Sequence, residues 1–83
     1  MVAVEDVVET IRDLRDSKGK DWGIVSFNLP DGKLAVVVAS QHFFPSDVAD
    51  VEKELEEILE DFVIQIIPIG LHVALVIESS ELE

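Results

Sequence analysis

The sequence predicts an α+β protein built in two layers, with elements in the order αββαββ. Apolar residues recur at helical spacing in two segments, 3–17 and 46–61, and each segment is followed by two short runs rich in Val and Ile. Two αββ units of this kind share one core most simply as a four-stranded antiparallel sheet with both helices on one face.

The first segment has the pattern of an amphipathic helix over residues 3–17. Acidic residues fill the positions between the apolar ones, and Gly19 offers the left-handed conformation that commonly ends a helix. The apolar positions share one face: Val4, Val7, Val8, Ile11 and Leu14.

A hairpin is predicted over residues 22–40. Apolar and polar side chains alternate in the run WGIVSFNL, whereas the returning run LAVVVAS is almost wholly apolar. Between them, Pro30 presets φ for the first turn position and Gly32 suits a positive φ.

The second helix is predicted over residues 46–61, with Ser46 or Asp47 as its cap. Its apolar stripe faces the core: Val48, Val51, Leu55, Ile58, Leu59 and Phe62. Most of the other positions are acidic, and Glu52, Glu56, Glu57 and Glu60 define a predicted acidic face.

The second hairpin is predicted from the run FVIQIIPIGLHVALVI, with strands at 62–67 and 71–77. Pro68 and Gly70 would break a helix but suit a turn. The run is too short and too interrupted to span a membrane. Because it is apolar on both faces, it requires cover on both faces.

The chain is predicted to be a single domain, 1–83, with a pseudo-repeat of αββ units at 1–40 and 46–80. The segments Leu29-Pro30-Asp31-Gly32 and Ile67-Pro68-Ile69-Gly70 align at an offset of 38, and the helical stripes align at an offset of 44.

The element order resembles a circularly permuted ferredoxin-like topology, in which the first strand of βαββαβ is moved to the C-terminus. This resemblance implies that the second and fourth strands are central and that the first and third are edges. Ser26, Asn28, Gln65 and Pro68 fall on the implied edges, where polar groups and a missing N–H are tolerated.

One face of such a sheet carries no helix, and its apolar side chains predict a homodimer formed through the sheet or an edge strand. The residues predicted for the interface are Val36, Val38, Ile64, Ile66, Val73 and Leu75. The alternative is a sheet that curls around its own core or is covered by the chain termini.

Composition limits the classes of partner. With 18 acidic and 6 basic residues, the net charge is −12, which disfavours nucleic acid and anionic membranes and favours a basic protein partner. Solubility and adaptation to high salt are the alternatives. The absence of cysteine and of a signal-peptide pattern is typical of a cytoplasmic protein.

The sequence contains no pattern typical of a catalytic, cofactor or metal site. A candidate ligand or partner loop consists of Trp22, His42, Phe43 and Phe44, although Trp22 also suits a core-capping role in which its N–H reaches a loop carbonyl. His72 lies in an apolar strand.

The favoured hypothesis is therefore a small acidic interaction module without enzymatic activity, which dimerises through its sheet and binds a basic protein through its acidic helices. The alternatives are a regulatory domain with a small-molecule site at the dimer seam, near His42 and Trp22, and a designed protein with no assigned activity. An enzyme is the least supported class.

Overall fold

The computed structural model describes all residues from Met1 to Glu83, and its elements follow the order αββαββ. The elements are α1 (Val4–Ser17), β1 (Gly23–Leu29), β2 (Lys33–Ala39), α2 (Pro45–Leu55), β3 (Val63–Ile69) and β4 (His72–Glu78). The four strands form one antiparallel sheet in the spatial order β1-β2-β4-β3. The α+β fold class is confirmed, as is the central position of the second and fourth strands.

An apolar core lies between the two helices and one face of the sheet. Alternate residues of the central strands have no exposed surface: Leu34, Val36, Leu75 and Ile77. They form one cluster with residues of both helices, among them Val7, Ile11, Val51 and Leu55. Because residues at i and i+2 of a strand share a face, the intervening residues lie on the side that no helix covers.

α1 closely matches the predicted helix. Glu5 and Asp6 occupy its first turn, near the positive end of the helix dipole. Just past the C-terminus, Gly19 adopts a φ of 63°, and its N–H donates to the carbonyl of Asp16 at 3.1 Å. Gly19 is therefore the left-handed residue that ends the helix.

α2 is shorter than predicted, because it ends at Leu55 and not at residue 61. Beyond this point the N–H groups of Glu57 and Ile58 donate to carbonyls three residues earlier, at 3.2 and 3.0 Å. The physical reason is charge: the segment places four carboxylates at the negative end of the helix dipole, those of Glu56, Glu57, Glu60 and Asp61. Neither α1 nor α2 has the length and apolar character that crossing a membrane requires.

The two hairpin turns differ in length. In the first, Leu29 pairs with Lys33, so residues 30–32 form the turn, and both Asp31 and Gly32 have positive φ, 64° and 71°. In the second, Ile69 pairs with His72, and the turn begins with Gly70 at a φ of 60°. A positive φ at the first position of a two-residue turn is typical of type II′ hairpins.

This difference corrects the predicted alignment of the two hairpins. Pro68 lies inside β3, where it pairs with Val73, whereas Pro30 lies in a turn. β1 and β3 begin 40 residues apart and β2 and β4 begin 39 apart, so the predicted offset of 38 is wrong. The predicted alignment failed because Pro and Gly stand two residues apart in both hairpins, although Pro30 lies in a turn and Pro68 lies in a strand.

The two ends of the chain lie side by side. Val2 and Leu82 form an isolated parallel bridge, in which the Val2 N–H donates to the Glu81 carbonyl at 2.6 Å and the Glu83 N–H donates to the Val2 carbonyl at 3.1 Å. Leu82 is 5% exposed and belongs to the core cluster. The C-terminal segment thus contributes directly to the core.

Candidate interaction site

The face of the sheet opposite the helices is uncovered and mostly apolar, and we call it the open face. Several of its large side chains are more than half exposed, Phe27 to 54% and Val63 to 64%. Contiguous apolar surface of this kind is unusual on a soluble monomer. The open face consists mainly of Val25, Phe27, Leu29, Ala35, Val37, Val63, Ile67, Ile69, Ala74 and Val76.

On the open face, the two central strands carry smaller side chains than the two edge strands, so the centre of the face is lower than its sides. In the centre, Ala35 of β2 pairs with Val76 of β4. On the flanking strands, Phe27 stands opposite Ala35, and Ile67 stands opposite Ala74. Small residues therefore line the middle of the face, and larger ones border it.

Charged groups are confined to one end of the open face. Lys33 and Glu78 pair across the central strands, with 3.9 Å between Nζ and Oε2, and they are the only Asp, Glu, Lys or Arg residues on the strands. His72 lies at the opposite end of the same face. The open face is thus close to neutral, although the chain carries a net charge of −12.

The six residues predicted for the interface lie on the other, helix-covered face. Val36, Val38 and Leu75 have no exposed surface at all, so they are not accessible to a second chain. The choice of face was wrong because β2 and β4 are apolar at nearly every position, and a shift of one residue exchanges the two faces. The other three residues of that prediction, Ile64, Ile66 and Val73, are partly exposed near the β3 edge.

The predicted loop of Trp22, His42, Phe43 and Phe44 divides into a buried and an exposed part. Trp22 is 2% exposed, its Nε1–H donates to the His42 carbonyl at 3.1 Å, and its ring meets Phe43 edge to face at 5.0 Å. Trp22 therefore caps the core. Phe44 is 48% exposed, and Lys20 Nζ stands 5.4 Å from the centre of its ring.

An exposed polar cluster surrounds Asp21. Its carboxylate accepts a hydrogen bond from Ser40 Oγ at 2.8 Å and lies 3.1 Å from His42 Nδ1. The Ser40 hydroxyl and the His42 ring hold the pKa of Asp21 below its usual value. Because the Ser40 hydroxyl faces the carboxylate and not the imidazole, these residues lack the order that activates a serine nucleophile.

A partly buried ion pair joins the end of α1 to the start of α2. Lys18 Nζ contacts the carboxylates of Asp47 and Asp50, and Asp47 Oδ2 accepts the Phe44 N–H at 2.8 Å. The side chain of Asp47 is 1% exposed, and burial alone would raise its pKa. The hydrogen bonds from Lys18 and from the Phe44 backbone outweigh burial, so the pKa of Asp47 lies below its usual value.

The predicted acidic face is split between two surfaces. Glu52, Glu56 and Glu60 line a depression beside Phe62, the residue that precedes β3. Glu57 instead lines a depression between the two helices. Three members of the predicted set therefore lie toward β3, and Glu57 lies toward α1.

An apolar cleft of about 250 Å³ opens between the start of α2 and the sheet. Its lining comes from three separate parts of the chain: Phe43, Phe44, Pro45, Val48, Ile66 and Val73. No local pattern in the sequence indicates this cleft, because the fold alone brings the residues together. Phe44 and Ile66 remain about half exposed at its mouth.

The His, Asp and Glu side chains form no group of three or more that could hold a metal ion. The conspicuous features are the open face, the apolar cleft and the acidic depression beside Phe62. No model of a known protein family matches this sequence, and no curated protein matches it at a significant level.

Proposed function

We propose that this protein is a small interaction module without enzymatic activity, which forms a homodimer through the open face and presents its acidic helices to a basic protein. The observation that carries the proposal is the uncovered apolar face of the sheet, with Phe27 54% and Ile69 51% exposed. A second copy supplies an equal area of apolar surface, and two-fold symmetry closes the assembly after two subunits.

The size of the open face suits a weak to moderate dimer. Four strands of seven residues, spaced at about 4.8 Å and rising about 3.3 Å per residue, cover roughly 440 Å² in projection. Protruding side chains such as Phe27 add to this, so two faces together bury about 1,000 Å² or somewhat more. That area is near the lower limit of specific interfaces.

The distribution of charge favours this mode of association over contact between helices. With Lys33 and Glu78 as the only charged residues on the strands, packing of two open faces brings few like charges together. In such a dimer the two packed sheets lie about 10 Å apart, and the helices of each subunit lie on the outer side of its sheet, away from the other subunit. Contact through the helices would instead bring the acidic surfaces of two copies together, at a cost in repulsion.

The acidic helices support the second half of the proposal. Of the 18 acidic and 6 basic residues, all except Glu78 and Lys33 lie outside the strands. The acidic excess therefore remains accessible in the proposed dimer. Complementary charge speeds encounter with a basic protein and discriminates against acidic ones. The same charge repels phosphate backbones.

Light scattering coupled to size-exclusion chromatography tests the dimer, with Phe27→Lys as the disrupting variant and Ser26→Lys as the matched control. The two residues are neighbours on β1 with side chains on opposite faces, and both are exposed. We expect the wild type and Ser26→Lys to approach twice the 9.2 kDa of one chain at high concentration, and Phe27→Lys to remain monomeric.

A wild type that stays at 9.2 kDa at millimolar concentration would overturn the proposal. So would a Phe27→Lys variant that dimerises as well as Ser26→Lys. Circular dichroism of each variant checks that the fold is retained.

A further inference from the structure

We infer that the groove between α2 and the free edge of β3 binds an extended segment of a basic protein partner, which adds to the sheet as a further antiparallel strand. This inference rests on the proposed function and names the partner's chemistry and its binding mode. It uses a surface other than the open face, so it leaves the proposed dimer interface unoccupied.

One end of the groove is the apolar cleft. Val48 of α2 and Ile66 of β3 line it, together with Phe44 at the start of the helix. The volume of about 250 Å³ exceeds that of a single leucine or isoleucine side chain. Ile66 is 50% exposed, so an apolar side chain that enters would cover surface that is now in contact with water.

The other end of the groove is acidic. Val48, Glu52 and Glu56 follow one another at intervals of four residues, so they lie along one side of the helix. Glu52 and Glu56 line the depression beside Phe62 together with Glu60 and Asp61, and no basic residue lines it. A Lys or Arg of the partner would meet several carboxylates there.

The edge of β3 is free to pair. Ile69 and His72 flank a two-residue turn, so they form a hydrogen-bonded pair, and alternation assigns the same role to Ile67 and Gln65. The backbone groups of Ile64 and Ile66 therefore point away from β4. Pro68 falls in this outward set, so its missing N–H breaks no bond within the sheet and limits pairing near the turn.

The geometry sets the spacing of the partner's motif. Val48 and Glu56 are separated by two helical turns, about 12 Å along the helix axis. An extended chain covers about 13 Å in four residues, and residues four apart share a face. An antiparallel strand therefore carries an apolar residue first and a Lys or Arg four residues later, both directed at the groove.

Charge selects this occupant over other extended chains. An acidic peptide or a nucleic acid would be repelled by the net charge of −12. A second copy of this chain would bring its own β3, in which Pro68 interrupts the edge and no basic residue occurs. A basic segment that also carries an apolar residue can fill the cleft, pair its Lys or Arg with the carboxylates and form backbone hydrogen bonds with the edge of β3.

The test is titration of the ¹⁵N-labelled protein with the peptide acetyl-Thr-Leu-Thr-Val-Thr-Lys-Thr-Lys-amide. The control is the same peptide in reversed order, which keeps the composition and the charge. We expect the forward peptide to bind at least tenfold more tightly, and to slow hydrogen exchange at the amides of Ile64 and Ile66.

Matched protein variants separate the two ends of the groove. Ile66→Thr should weaken binding of the forward peptide about tenfold, whereas Ile67→Thr, on the opposite face of the same strand, should change it less than twofold. The double variant Glu52→Gln, Glu56→Gln should weaken binding about fivefold, and Glu57→Gln, which lines another surface, less than twofold.

Equal affinity for the reversed peptide would overturn the inference, because net charge alone would then account for binding. Absence of binding, or equal losses in Ile66→Thr and Ile67→Thr, would overturn it as well. The peptide affinities do not measure dimerisation through the open face, on which Ile67 lies. The Phe27→Lys and Ser26→Lys variants measure dimerisation separately.

Discussion

The carbonyl of Gly32 accepts a hydrogen bond from the backbone N–H of Ser79 at 3.0 Å, and the carbonyl oxygen of Ser79 lies only 2.6 Å from where a Cβ on Gly32 would stand. The first hairpin turn is therefore pressed against the segment that follows β4. Any side chain at position 32 would have to displace backbone, which cannot move as easily as the end of a flexible side chain.

We predict that Gly32→Ala lowers the free energy of unfolding by about 3 kcal/mol. A left-handed φ of 71° contributes roughly 1–2 kcal/mol of strain for alanine, and the contact with Ser79 adds to it. Gly70→Ala is the control, because Gly70 has a similar φ of 60° with nothing within 4 Å of an added Cβ. Urea denaturation measures both, and equal losses would contradict the role of the Ser79 contact.

The Lys18–Asp47 ion pair predicts a specific pH dependence of stability. The pKa of Asp47 is lower in the folded chain than its ordinary value of 3.8, so its charge stabilises the fold at all pH values above about 4. This stabilisation is lost as the pH falls through the folded pKa. Asp47→Asn should therefore cost about 2 kcal/mol at pH 7, and the difference from the wild type should shrink below pH 3.8.

Chemical denaturation of the wild type and Asp47→Asn at a series of pH values measures this difference directly. Asp50→Asn is the control, because the side chain of Asp50 is 48% exposed and its loss should matter less. A difference between the wild type and Asp47→Asn that does not change with pH would show that the charge of Asp47 contributes nothing.

The burial of Leu82 predicts that the C-terminal segment contributes to the stability of the fold. Its side chain is 5% exposed within the core cluster, so Leu82→Ala should lower the free energy of unfolding by about 2 kcal/mol or more. Leu71→Ala removes the same atoms from a turn residue that is 72% exposed, and it should change stability by less than about 0.5 kcal/mol. Similar melting temperatures for the two variants would contradict the packing of Leu82.

The net charge of −12 predicts that added salt stabilises the fold. Raising NaCl from about 0.01 to about 1 M shortens the Debye length from about 30 to about 3 Å, which screens repulsion among the acidic residues. We expect the melting temperature to rise by about 5 °C, and by less in the Glu52→Gln, Glu56→Gln double variant. A lower melting temperature in salt would mean that ion pairs outweigh the repulsion.

The element order could be predicted because it rests on local patterns, whereas the strand order was implied by the resemblance to a permuted ferredoxin-like topology. Helical spacing defines α1, and Gly19 and Gly32 mark a helix end and a turn by conformations that few other residues adopt. Continuous apolar character distinguishes the central strands β2 and β4 from the edges. These signals depend only on near neighbours in the chain.

The covered face of the sheet could not be predicted, and β1 shows why. Ser26 and Asn28 lie on the same face as the helices, yet they stay exposed because an edge strand extends beyond the helices that cover the centre. Phe27, on the other face, is apolar and also exposed. The alternation of apolar and polar residues in β1 therefore indicates the wrong face as the one covered by the helices. β2 shows no such alternation, so it cannot correct the choice.

The candidate sites depend on long-range placement. The cleft unites Phe44, Val48, Ile66 and Val73, which no spacing in the sequence relates. The end of α2 depends on a balance between acidic repulsion at a helix terminus and the burial of Leu59, and the apolar stripe alone does not record that balance.

The parallel bridge between Val2 and Leu82 has a kinetic consequence. Its formation closes a loop that contains nearly the whole chain, so it carries the largest closure entropy of any backbone pairing in this fold. We expect the β2–β4 ladder to assemble before this bridge and to exchange its amide hydrogens last. We therefore expect the bridge to open and close reversibly while the rest of the sheet remains folded.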